Sequence, residues 1–277
     1  RYRPVLGTHA KISTHDPIND STLTTIVFGA SLVTMGILNR IGVGSAEVDT
    51  ILDTQTVRPG DSVPARIEIE GGSDDQEVDE IDLAIMTRYE VETEEGTSYS
   101  NAKIEQTTLT DGFTISAGEE RTIDAGSIDI PESTPPTLGK TQVWVYTGLD
   151  IDWSLDPKDR DQLEVLPGPY LEALLEAVER LGFARSSVDN VEARSFGPGR
   201  FAQEFEYKPH RGPYSGRLDE IELFPRRQGN ALTVVVEVDK RGESILGSDE
   251  SHHQITVDAT DPAAIERQLS GLIDRQL

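Results

Sequence analysis

The chain of 277 residues has no cysteine, two methionines and two tryptophans, and aromatic residues make up only 6% of it. Without cysteine there are no disulfides, no thiolate nucleophile and no cysteine-ligated metal, and the compartment is left open. Histidine is also scarce. His9 and His15 lie near the N-terminus, leaving His210, His252 and His253, and adjacent histidines on a strand point to opposite faces and do not readily share an ion. Long apolar runs are missing as well. The best of them, TIVFGASLV within the uncharged residues 21–39, is shorter than the roughly 20 apolar residues of a spanning helix and is diluted by threonine, serine and glycine. Asp16, Asn19 and Asp20 precede it, where a signal peptide would carry basic residues. No stable membrane insertion is expected, and a cytoplasmic location follows as the expectation.

Catalytic signatures are equally thin. No G-x-S-x-G turn is present for a serine nucleophile. Gly42-Val43-Gly44 has Glu47 at the third glycine position of a dinucleotide loop, and no parallel βαβ pattern follows. Asp156, Asp159 and Asp161 have neither the spacing nor the glycine of an EF-hand. The expectation is therefore no metal, no cofactor and no enzymatic site.

What is abundant is negative charge. Fifty acidic residues face 25 basic ones, for a formal charge of −25, and arginine outnumbers lysine about three to one. Such a surface repels phosphate backbones and anionic membranes, so nucleic acid is not an expected partner. The acids are scattered along the chain, as in proteins of molar salt, where a Debye length of roughly 3 Å screens self-repulsion. A halophile-like surface is expected, the other reading being an acidic platform for a basic partner. The one basic doublet of note is Arg226-Arg227, beside Phe224 and Pro225.

Apolar residues alternate at Val63, Ala65, Ile67 and Ile69, at Ile81, Leu83, Ile85, Tyr89 and Val91, and at Val143, Val145, Leu149, Ile151 and Trp153. That period of two predicts strands with one wet face. Arg58-Pro59-Gly60-Asp61, Gly71-Gly72-Ser73 and Pro135-Pro136 punctuate them, as in an antiparallel sandwich. Pro64 argues for an edge strand or a strand start. Residues 156–161 read as a polar break. A helix is predicted from Pro169, with Leu171, Leu174, Leu175, Val178 and Leu181 on one face and Gly182 at its end. Phe201 to Tyr207, Ile221 with Leu223, and Leu232 to Val238 read as strands, His252 and His253 as a solvated loop, and a last helix starts at Pro262 with Asp261 as its cap and Ile265, Leu269, Leu272 and Ile273 inward.

Gly42, Gly44, Val48 and Asp49, the turn Arg58-Pro59-Gly60, Gly71-Gly72, the strand 78–89, the block 143–153 with DPKDRD, then GPYLEALLEAVERLGF, FAQEFEYKP and GRLDEIELFPRR follow one another as in the sporulation-control protein family (SpoOM type), a branch of the arrestin-like proteins, which this chain resembles over roughly residues 35–242. The resemblance implies a mainly β fold of two arrestin-like antiparallel sandwiches, with one or two short helices in the C-terminal half. Residues 1–34 are expected to be an upstream or disordered leader outside the fold, 35–166 the first sandwich and 167–277 the second. It also implies a non-enzymatic adaptor or scaffold with protein partners. In arrestin-like proteins buried charges between the sandwiches act as a latch, and the positions suited to one here are Arg88, Asp152, Asp156, Asp159, Arg160 and Asp161. A ligand-binding β-sandwich at the cell surface and a hydrolase with an unmarked acidic cleft remain as alternatives.

Overall fold

The computed structural model describes residues 44–109, 112–151, 158–193, 199–241 and 253–277. The expected leader, the apolar run of residues 21–39 and Gly42-Val43 lie outside them. The described chain is mainly β and sandwich-like, with two helices in the C-terminal half.

In the N-terminal half the strands are β1 (Glu47–Leu52), β2 (Thr56–Val57), β3 (Ser62–Glu70), β4 (Gln76–Thr93), β5 (Gly96–Leu109), β6 (Phe113–Ile115), β7 (Glu120–Asp129), β8 (Val143–Ile151) and β9 (Lys158–Val165). β3 alternates without a fault, Val63, Ala65, Ile67 and Ile69 buried and every residue between them exposed. It is the middle of a three-stranded sheet, β1-β3-β7, so Pro64 lies not on an edge but near a strand start, just beyond the β1 ladder that ends at Ala65. β4 is long enough to carry β5 and β6 on one side and β8 on the other. The first core lies between the two sheets, with Ile67 and Ile69 from β3 meeting Ile81, Leu83 and Ile85 from β4 and Val143 and Val145 from β8. Gly72 is required where the sheets turn, because a Cβ there would stand 2.1 Å from the carbonyl oxygen of Gly44.

Two strands of this half carry no legible alternation. β5 reads GTSYSNAKIEQTTL, and its first six residues are all exposed while only Ala102 is buried, so no continuous apolar face marks it. The expected break at 156–161 is in part a strand, since β9 takes up Lys158 to Asp161 and pairs with β8 through Tyr146↔Arg160 and Val145↔Asp161.

The C-terminal half begins with α1 (Pro169–Arg180), whose proline sits in the first turn and whose Leu171, Leu174, Leu175 and Val178 are buried. Gly182 follows with a φ of +93°, the left-handed end that the sequence predicts. Strands β10 (Phe183–Glu192), β11 (Phe201–Pro209), β12 (Leu218–Gln228), β13 (Ala231–Lys240) and β14 (His253–Val257) form an antiparallel meander in sequence order. His253 therefore lies on a strand, paired with Val236, and not in a loop. Helix α2 (Pro262–Gln276) is capped by Asp261, whose carboxylate accepts from Ala263 N at 3.0 Å. The second core joins Phe205 and Tyr207 of β11, Leu223 of β12 and Val236 of β13 to Leu174 of α1 and Leu269 and Ile273 of α2.

The two cores share one sheet. Its strand order is β14-β13-β12-β11-β10-β4-β8-β9-β2, and the halves meet at β10 and β4 through one parallel pair, Val191↔Glu90.

Candidate functional site

With so few ladder bonds at that junction, side chains carry it. Thr87 of β4 and Asn190 of β10 are both fully buried. Asn190 Nδ2 donates to Thr87 Oγ1 at 2.8 Å and to the Arg88 carbonyl at 3.1 Å, while the Thr87 hydroxyl donates to the Gln142 carbonyl at 2.7 Å. Beside them Asp189, 5% exposed, accepts from the Tyr99 hydroxyl at 3.1 Å and from the Asn190 backbone N–H at 2.8 Å, with Lys140 Nζ 3.8 Å away. The guanidinium of Arg88 stacks on the Tyr99 ring at 4.4 Å. Burial, followed by the hydrogen bond to Asp189, raises the pKa of Tyr99.

The segment 132–141 ties the same seam from the other side. Thr137 N donates to Val165 O, Lys140 N donates to Val188 O, and the buried Gln203 donates to Pro136 O and Thr141 Oγ1. Gly139 sits at the closest approach, with a φ of +60° and room for no side chain, since a Cβ would lie 2.5 Å from Val188 O.

Of the six latch positions read from the sequence, Arg88 is at this seam. Asp152 and Asp156 lie outside the described residues. Arg160 stacks on Trp144 at 3.8 Å, and its pKa is lowered by burial and then by the charge of Arg88. Asp159 and Asp161 face β1 within the first half. Asp159 accepts from Thr50 N at 2.8 Å, and with Asp49 the two make the one group, among the described residues, whose ligand atoms lie close enough to share a metal ion, within 4.8 Å of one another. Burial, then the charge and hydrogen bond of Asp159, push the Asp161 carboxyl up to about 8, and burial followed by Asp159 raises Asp49. Sequence spacing alone groups Asp159 and Asp161 with Asp156; it gives no sign of Asp49, which is brought in by the facing of two sheets.

A second row of acids crosses the C-terminal strands. Burial and then Glu206 raise Glu204 to about 7, and burial followed by Glu204 and Glu237 raises Glu222 to about 8. Asp189 and Asn190, the centre of the seam, carry no mark in the sequence, because β10 (FARSSVDNVE) alternates too weakly to reveal which polar residues turn inward.

Between the cores lies a cleft of about 720 Å³. No described helix is long and apolar enough to cross a membrane.

Residues 35–242 match the family described as SpoOM protein. The chain is 37% identical over 207 residues to the sporulation-control protein Spo0M of Bacillus subtilis (strain 168), an alignment covering 74% of this chain and 80% of that protein. It is also similar to the crystal structure of Spo0M, sporulation control protein, from Bacillus subtilis, with a TM-score of 0.75 and 31% sequence identity over 85% of this chain and 100% of that one.

Proposed function

Because the chain belongs to the SpoOM family of sporulation-control proteins, we propose that it is a non-enzymatic, arrestin-like adaptor that acts in the cytoplasm by binding protein partners, its two sandwich domains (35–166 and 167–277) held in register by the polar seam. The observation that carries this is the buried Asp189, held by Tyr99 from the β4–β5 hairpin and by Lys140 from the bridging segment. Residues on separate elements thus converge on one buried carboxylate, and a buried acceptor left without its donor is costly. The two separate cores favour a two-domain division, while the described residues, from Gly44 to Leu277, group as one compact unit, as a tightly latched pair would. The latch is accordingly assigned to Arg88, Tyr99, Lys140, Asp189 and Asn190, and the acids Asp159 and Asp161 act within the first sandwich.

The hydrolase alternative wants perturbed acids converging in a cleft. The acids pushed upward here, Asp49, Asp161, Glu204 and Glu222, do not line the cleft between the cores, which favours a binding role. What transfers from the family is the mode of action by contact; the process it regulates depends on the partner.

Small-angle scattering tests the latch. Asp189→Asn should enlarge the radius of gyration and leave the far-ultraviolet spectrum unchanged, whereas Asp159→Asn with Asp161→Asn should leave both as they are. Identical curves for Asp189→Asn and the parent protein would remove the latch. Affinity capture from the native host in molar salt, followed by mass spectrometry, should show partners whose recovery changes with Asp189→Asn; recovery indifferent to the seam would count against the adaptor reading.

A further inference from the structure

The cleft between the cores reverses the charge of the molecule around it. In a chain with twice as many acids as bases, its wall carries Lys103, Arg200, Arg226 and Arg227 against Glu132 as its one carboxylate among the described residues. Arg200 and Arg226 are exposed and form no ion pair among the described residues. Arg227 is half-buried, its guanidinium lies 5.1 Å over the Tyr170 ring, and its nearest acid oxygen, Glu132 Oε2, is 3.8 Å away. Stacking fixes that guanidinium, while its buried Nε has no hydrogen-bond partner. On the same wall the hydroxyl of Thr134, a residue 3% exposed, is also unpartnered. Buried polar groups are nearly always hydrogen-bonded, and one left open beside a cavity is an invitation to a ligand.

The remaining lining is apolar and stiff. Phe201, Phe224, Leu171 and Leu232 supply the apolar surface, and five of the chain's fifteen prolines line the cleft. Proline fixes its own φ, so these walls are set before anything binds, which lowers the ordering cost of binding. A volume near 720 Å³ falls within the roughly 300–1,000 Å³ of small-molecule sites.

We propose that this cleft binds a small organic anion, an apolar or aromatic body bearing a carboxylate or phosphate that sits against Arg200, Arg226 and Arg227. The net charge of −25 decides the class of ligand. A long acidic polymer would meet the repulsion of the whole surface, whereas a compact ligand with one anionic group meets only the local positive field. The site adds a ligand to the molecule whether or not the adaptor reading holds.

The test is a fluorescence titration with anilinonaphthalene sulfonate in molar potassium chloride, where only charge pairs in contact escape screening. The parent protein should bind the dye at one saturable site. Arg200→Glu with Arg226→Glu, both exposed and unpaired, should weaken binding about tenfold or more without changing the melting temperature, and the neutral phenylnaphthylamine should not distinguish the two proteins. If the charge reversal unfolds the chain, Arg200→Gln with Arg226→Gln takes its place. Decanoate and decyl phosphate should displace the dye and tell which anion is preferred. No saturable binding, equal affinity in parent and variant, or displacement by an aspartate-rich peptide at lower concentration than by either small anion would overturn the proposal.

Discussion

Asp161 holds its proton far above the ordinary carboxylate range because burial and the neighbouring Asp159 and Asp49 disfavour its charge. The folded state keeps a proton that the unfolded state loses above about 4, so stability declines as pH rises from there toward about 8 and levels off beyond. Glu204 and Glu222, raised to about 7 and about 8, act in the same direction. The melting temperature at fixed molar salt is therefore expected to be lower at pH 9 than at pH 5. Asp161→Asn should flatten that dependence and stabilise the protein at pH 9 by about 1 kcal/mol, a figure already discounted for solvent screening at a partly exposed site. A variant with the parent's pH profile would show that this carboxyl is ionised in the native state.

At the scale of elements, α2 separates two kinds of contribution. Its cap is one hydrogen bond from Ala263 N to the Asp261 carboxylate on the surface, and Asp261→Ala should cost about 1 kcal/mol. Its inward face is Leu269, fully buried among Phe205, Val236 and Leu174, and Leu269→Ala should cost about 2–5 kcal/mol because the cavity it leaves closes only in part. Denaturant unfolding with an unchanged m-value would measure both, and a cap variant costing as much as the core variant would contradict this ordering. β9 shows the opposite balance. Its first four residues, Lys158 to Asp161, are charged in sequence, yet they are held in a strand by the β8 ladder, by Arg160 on Trp144 and by Asp159 accepting from Thr50.

For the whole molecule, the formal charge of −25 governs the response to salt. Self-repulsion of that size acts against the compact state and is relieved by screening. Thermal unfolding followed by circular dichroism should show the melting temperature falling steadily as potassium chloride is reduced from molar to millimolar concentration. A flat response would set aside the halophile-like reading and favour the acidic surface as a platform for a basic partner.

The sequence by itself determined the elements whose burial is periodic. Val63 to Ile69 alternate as read, α1 buries Leu171, Leu174, Leu175 and Val178, and α2 is capped by Asp261 over Ile265, Leu269, Leu272 and Ile273. It also carried the family likeness, because glycines and prolines at turns leave a local signature. The tertiary structure alone decided where polar residues meet. Asp49 joins Asp159 and Asp161 only because β1 and β9 face each other, Tyr99 reaches Asp189 only because β5 and β10 both pair with β4 at Glu90, and Lys103, Arg200, Arg226 and Arg227 line one cleft from three distant stretches of chain. Apolar burial repeats at the period of the backbone and can be read along the chain. A cluster of charges obeys no period, since its members are brought together by packing of surfaces far apart in sequence.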